Sequence, residues 1–336
     1  MTLPTNSSES SNYPVTLDRL CEYPPDTIGL EDSPVTVCVA AICDGNTVFG
    51  AADRMLTAGD VEFEPAQSKV WEFTSSVAAL FAGDAALQAE VLQLVDRDVK
   101  ARVQAEPNNW WLVKDIAALY SRYYGEIRIK KSATMLLSPL GLDHNTFFTR
   151  QREMSESLVR QLATEMINFS MPTVGTIFVG IDPEGAHIYI AHGADVECAD
   201  NVGFAAIGIG RWHANSQFMF AQHNRSRPFP ETLLLTYAAK KRAEVSPGVG
   251  EGTDVFMIGP ALGSYAKVYP HVVASLEKMY KANRARERRA SLKANKEVNE
   301  YVGNLIRAAT PKEEQPPQAA GGDAPTDETK PREATD

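Results

Sequence analysis

Cysteine is scarce in this 336-residue chain: Cys21, Cys38, Cys43 and Cys198 form no CxxC pair and no Cys/His metal spacing. A disulfide-built scaffold and a zinc finger are thereby excluded, and the four read as ordinary intracellular cysteines. Six histidines are present, none of them paired on a helix, and no carboxylate cluster suggests a metal site. The expected cofactors and metals are therefore none. No run of 18 apolar residues occurs, so no membrane span is expected. The first residues, MTLPTNSSESSNYP, have neither the basic start nor the apolar run of a secretory signal. The expected location is the cytoplasm. A basic excess is also missing, with 33 Lys+Arg against 43 Asp+Glu. Residues 1–34 hold six acids and one base, and residues 310–336 hold seven acids and three bases. The two ends thus carry −9 of the net −10, and the near-neutral middle gives nucleic acid no electrostatic footprint. Gly248-Val249-Gly250-Glu251-Gly252 precedes a strand rather than a helix, so it is not a nucleotide loop.

What the chain does contain is organised around its middle. Residues 1–34 are rich in Ser, Pro and acid, and 309–336 contain almost nothing that can be buried, so both are expected to be disordered, the first propeptide-like. Between them, strand and helix signals alternate. VTVCVAAIC (35–43) is continuously apolar, as a doubly buried strand would be; Asp44-Gly45-Asn46 is a hairpin turn signal, and 47–52 returns. A second strand pair is expected at 70–73 and 77–81. Helices are expected over 85–104, with Asp84 as N-cap, and over about 109–126. Strands resume at Val174 and run to Ile209; helices follow at 213–224 and 230–244, then the strand DVFMI at 254–258. A charged helix is expected over 269–308.

The segment from Val35 to Val91 resembles the first half of proteasome β-type subunits, members of the N-terminal-nucleophile (Ntn) hydrolases. It carries a DG turn, Asp53 in Gly50-Ala51-Ala52-Asp53-Arg54, Lys69 sixteen residues on, and Gly83 fourteen beyond that. GTIFVGIDPEGAHIYIAHG, the Gly208-Ile209-Gly210 turn and EGTDVFMIG are similar to the family's second half. The resemblance spans residues 35–260. It implies an α+β fold, a four-layer αββα sandwich of two antiparallel sheets between helix layers, over 35–268. It also implies amide hydrolysis of a polypeptide by an N-terminal threonine freed by self-cleavage, and self-association into a ring or other homo-oligomer. A threonine hydroxyl is a weak nucleophile, and its own freed α-amine can act as the adjacent base. By the resemblance, Lys69 is the tuning cation, Asp53 its partner and the Gly83 N–H the oxyanion donor.

The nucleophile's register is less direct. Counting back from the turn gives Val35 and counting back from Asp53 gives Val37, both on the face opposite Thr36 if the strand alternates regularly. Only one inserted residue brings Thr36 into the site. Ile209 stands where the family has a serine that assists proton transfer, and Ser246 and Val249 stand where it has Asp and Ser. Three readings follow: an atypical or non-catalytic β-like subunit; an active hydrolase beginning at Thr36; and an interaction scaffold using the charged helix and an insert at 131–173. Cys38 and Thr176 read as core residues.

Overall fold

A computed structural model describes residues 36–58, 61–64 and 68–309; the expectations for residues 1–34 and for the tail from 310 lie outside the described residues. The chain is α+β with two antiparallel sheets. Its strands are β1 (Cys38–Cys43), β2 (Thr47–Asp53), β3 (Leu56–Ala58), β4 (Val61–Phe63), β5 (Val70–Thr74), β6 (Val77–Gly83), β7 (Val174–Asp182), β8 (Gly185–His192), β9 (Asp195–Cys198), β10 (Phe204–Ile207), β11 (Thr253–Ile258) and β12 (Tyr265–Lys267). Its helices are α1 (Ala85–Ala105), α2 (Val113–Ser132), α3 (His144–Thr149), α4 (Glu156–Asn168), α5 (Arg211–Phe220), α6 (Phe229–Ala243) and α7 (Pro270–Ala309).

The first sheet runs β10-β1-β2-β11-β12 and the second β5-β6-β7-β8-β9, with β3-β4 as a separate hairpin. Period-two alternation decides which side chains lie between the sheets. From β1, Cys38, Ala40 and Ile42 face inward, where they meet Ala78 and Leu80 of β6 and Ile177 and Val179 of β7. Val37, Val39 and Ala41 face outward onto Ala214 and Phe218 of α5 and Tyr237 and Ala239 of α6. On the other side, Val77 and Ala79 of β6 and Phe178 of β7 pack under Val91 and Val95 of α1 and Ile116 and Tyr120 of α2. The packing therefore orders the layers as helices, sheet, sheet, helices.

Local chemistry explains the element ends. Asp84 caps α1 by accepting the Leu87 N–H at 2.7 Å. Two helices differ from their sequence expectations. α2 begins at Val113 rather than near 109, because Asp182 Oδ2 accepts the Val113 N–H at 2.9 Å and fixes the first turn there. α5 begins at Arg211 and stops at Phe220, just short of Gln222, whose φ is +51°. The insert folds into short helices around its own cluster of Leu137, Phe147 and Leu162. Compact packing extends to Tyr280; residues 281–309 form a separate unit, the remainder of α7. Among the described residues no helix is long and apolar enough to cross a membrane.

Two glycines should respond in opposite ways to the same methyl. Gly50 on β2 faces the inter-sheet core under the Phe256 ring, which an added Cβ would overlap, whereas Gly125 in α2 has open space. Gly50→Ala should cost about 1–3 kcal/mol by overpacking. Gly125→Ala should add roughly 0.5–1 kcal/mol by removing a helix-interior glycine. Urea denaturation of the two variants checks this; equal effects would contradict the packing described.

Candidate active site

The site is built where β1 and β2 end together. Asp53, the last residue of β2, lies opposite Val37, and its N–H donates to the Val37 carbonyl at 3.1 Å. Thr36 stands one residue before that pairing, in a bend outside β1. The strict alternation that put Thr36 on the wrong face therefore does not apply to it. Its backbone is fixed instead by the turn after β10. Gly210 N–H donates to the Thr36 carbonyl at 3.3 Å. Gly208, at φ +88°, packs so closely on that carbonyl that a Cβ would overlap it, so both the conformation and the space demand glycine.

The side chains of Thr36, Asp53 and Lys69 meet. The Thr36 hydroxyl donates to Asp53 Oδ1 and accepts from Lys69 Nζ, and Lys69 Nζ also donates to Asp53 Oδ1 at 3.0 Å. Thr36 is 2%, Asp53 0% and Lys69 4% exposed. A buried carboxylate with a buried ammonium persists only if the remaining lone pairs are satisfied. Here Val37 N–H donates to Oδ1 at 3.0 Å, while Met55 N–H at 3.0 Å and Gly250 N–H at 3.1 Å donate to Oδ2. Lys69 itself immediately precedes β5, and its carbonyl accepts the Phe81 N–H at 3.1 Å.

Gly83 lies two residues along β6 from that contact. It ends the strand at φ +102° against the Thr173 carbonyl, where a Cβ would overlap. Buried Gln88 braces this corner, donating to the carbonyls of Ala82 and Gly175 at 3.1 Å each. The hydrogen bonds joining the three side chains do not include Gly83. Cys38 is fully buried and donates its thiol to the Phe81 carbonyl at 3.4 Å. Burial pushes that thiol far above the ordinary range, Lys69 pulling it down and Asp53 pushing it up, so it is not poised as a thiolate nucleophile. Thr176 is buried and bonded to Gln88.

Of the substituted positions, Ile209 is partly buried against the outer core, while Ser246 and Val249 are buried in the loop before β11. One buried neighbour of the site escaped sequence reasoning: Lys240 of α6, whose side chain is fully buried. A lysine beside Lys241 and Arg242 reads as solvent-facing, and only the apolar run that precedes it on the helix could have signalled burial. Among the described residues no group of histidine, cysteine or carboxylate side chains could hold a metal ion. No protein-family model matches the chain, and no curated protein matches it either.

The buried Lys69–Asp53 pair and the more exposed Arg54–Asp254 pair should matter unequally to stability. Lys69→Met leaves the Asp53 charge without its cation and should cost roughly 3 kcal/mol. Arg54 pairs with Asp254 through side chains 40% and 20% exposed; Arg54→Met should cost under about 1 kcal/mol. Comparable losses in urea denaturation would show that the Asp53–Lys69 pair is not buried as described.

Proposed function

We propose that this chain is an Ntn-hydrolase domain of the proteasome β type, with an atypical site in which Thr36 is the nucleophile. The observation that carries the reading is the placement of the Thr36 hydroxyl between Lys69 Nζ and Asp53 Oδ1 in a buried site. The four-layer packing and the glycine turn pressed on Thr36 support it further.

The proposed chemistry balances without a cofactor. Thr36 Oγ1 adds to the carbonyl carbon of residue 35, its proton passing to the departing peptide nitrogen. The C–N bond breaks and an ester joins residue 35 to Thr36 Oγ1. Water hydrolyses that ester, releasing a carboxyl-ended segment and a Thr36 with free hydroxyl and free amine. The amine then takes the hydroxyl proton as Oγ1 adds to a substrate amide carbonyl. The proton passes on to the leaving amine, and water hydrolyses the acyl-enzyme. Lys69 stabilises negative charge on Oγ1, and the Gly83 N–H is assigned to the substrate oxyanion. Its substrate class is polypeptide, and self-association into a ring or other homo-oligomer belongs to the same reading.

One observation favours a second reading. Ile209 and Val249 carry no proton-transferring group, which suits a non-catalytic subunit that keeps the Asp53–Lys69 pair for structure. Intact mass of purified protein separates the two. The catalytic reading expects a chain starting at Thr36 that hydrolyses short peptides, with both properties abolished in Lys69→Met and Thr36→Val. A chain that keeps residues 1–35 and hydrolyses nothing would leave the non-catalytic reading standing.

A further inference from the structure

We infer that Lys240 is a positioning residue of this site, a second buried cation that aims the Gly250 N–H at Asp53. The inference rests on the Thr36 reading for its catalytic consequence, but not for its structural one. Lys240 occupies the last full turn of α6 with its side chain 0% exposed. Its ammonium has three N–H donors, and each has a partner: Glu244 Oε1 at 2.6 Å, the Gly250 carbonyl at 2.7 Å and the Glu251 carbonyl at 3.0 Å. The last two belong to the irregular segment between α6 and β11. The preceding peptide group of that same segment acts on the site, since Gly250 N–H donates to Asp53 Oδ2 at 3.1 Å.

The segment is clasped from its other side as well. Glu64 Oε1 accepts the Gly252 N–H at 3.0 Å, and Gly250 fits so closely against Glu64 that a Cβ would overlap the carboxylate. Lys240 and Glu64 thus fix residues 250–252 between them. The Gly250 N–H, filling Oδ2 together with that of Met55, leaves Oδ1 for Thr36, Lys69 and the Val37 N–H. Were the segment to swing away, Asp53 could rotate and share either oxygen with Lys69, and the Thr36 hydroxyl would lose its fixed direction. Burial draws the Lys240 ammonium below the ordinary lysine range, opposed by the hydrogen bond and charge of Glu244. The lysine is thus held in place by its partners rather than by solvent.

The test is amide hydrogen exchange on the full chain, followed by NMR, comparing the native protein with Lys240→Met, which keeps the length and removes the charge. The expected result is exchange about tenfold faster or more at Gly250 and at Val37, whose N–H also depends on Asp53, with amides of β7 and β8 unchanged. Unchanged protection at Gly250 and Val37, or a uniform acceleration across the chain, would overturn the inference. Should Lys240→Met not fold, the native protein decides. The Lys240 ammonium should give a slowly exchanging signal coupled across its hydrogen bonds to the Gly250 and Glu251 carbonyl carbons. A fast-averaging signal there would overturn it. In peptide hydrolysis the variant should lower kcat and displace its pH profile while KM stays within about twofold. A native protein that hydrolyses nothing refutes the Thr36 reading alone, and the exchange result still decides the role of Lys240.

Discussion

Asp53 is the constraint on which the arrangement depends. A carboxylate with no solvent exposure is tolerated only when its charge is matched and its oxygens are filled. Its two oxygens accept from Thr36, Lys69 and three backbone N–H groups. Those donors come from four different places in the chain: the two residues before β1, the segment after β2, the residue before β5 and the loop before β11. Burying one charge therefore ties the end of the β1–β2 pair to the chain entering β5 and to the loop before β11. It also leaves the Thr36 hydroxyl little choice of direction.

Strand geometry explains why that charge can sit there at all. Asp53 ends β2 opposite Val37, at the margin of the first sheet, where ladder pairing stops and backbone N–H groups are available to a side chain. Further along β2, Ala52 and Val48 fill the inter-sheet space with carbon, and no such donors are spare. At the same margin the Gly208–Gly210 turn presses on Thr36. The functional groups thus collect at the end of the β1–β2 pair while the centre of each sheet stays apolar, a division of labour that follows from satisfying buried polar groups only where the ladder runs out.

Most of this frame was legible in the sequence because it rests on short-range signals. The apolar run of β1, the Asp44-Gly45 turn and the sixteen-residue spacing from Asp53 to Lys69 each report a local requirement. The direction of Thr36 was not legible in the same way. Alternation predicts faces only within a strand, and Thr36 lies just outside one, so counting from either end of the hairpin gave Val35 or Val37. Lys240 was hidden for a different reason. A lysine in an amphipathic helix is ordinarily a solvent-facing residue, and its burial is set by carbonyls of Gly250 and Glu251 that come near only after the chain has folded. What the sequence concealed was in both cases a relation between a side chain and distant backbone.

The same network limits what can serve as the base in the proposed reaction. Lys69 donates to Thr36 and Asp53, and as an ammonium it has no lone pair with which to take a proton. Asp53 has its oxygens engaged by five donors, so protonating it would break bonds that hold the segment before β11 and the start of β1. Cys38 is on hand but is held as a thiol by burial, and among the described residues no histidine bonds to the three side chains. Among the groups gathered at Thr36, the one without a competing engagement in the proposed chemistry is the nitrogen of Thr36 itself, which becomes basic only once its peptide bond is cut. In the proposed reaction the site gains its base from the same cleavage that exposes its nucleophile. The buried Asp53 charge is tied to the proposed chemistry in this way: the carboxylate is committed to holding Thr36 and Lys69 in place, which leaves proton transfer, in that proposal, to the new chain end.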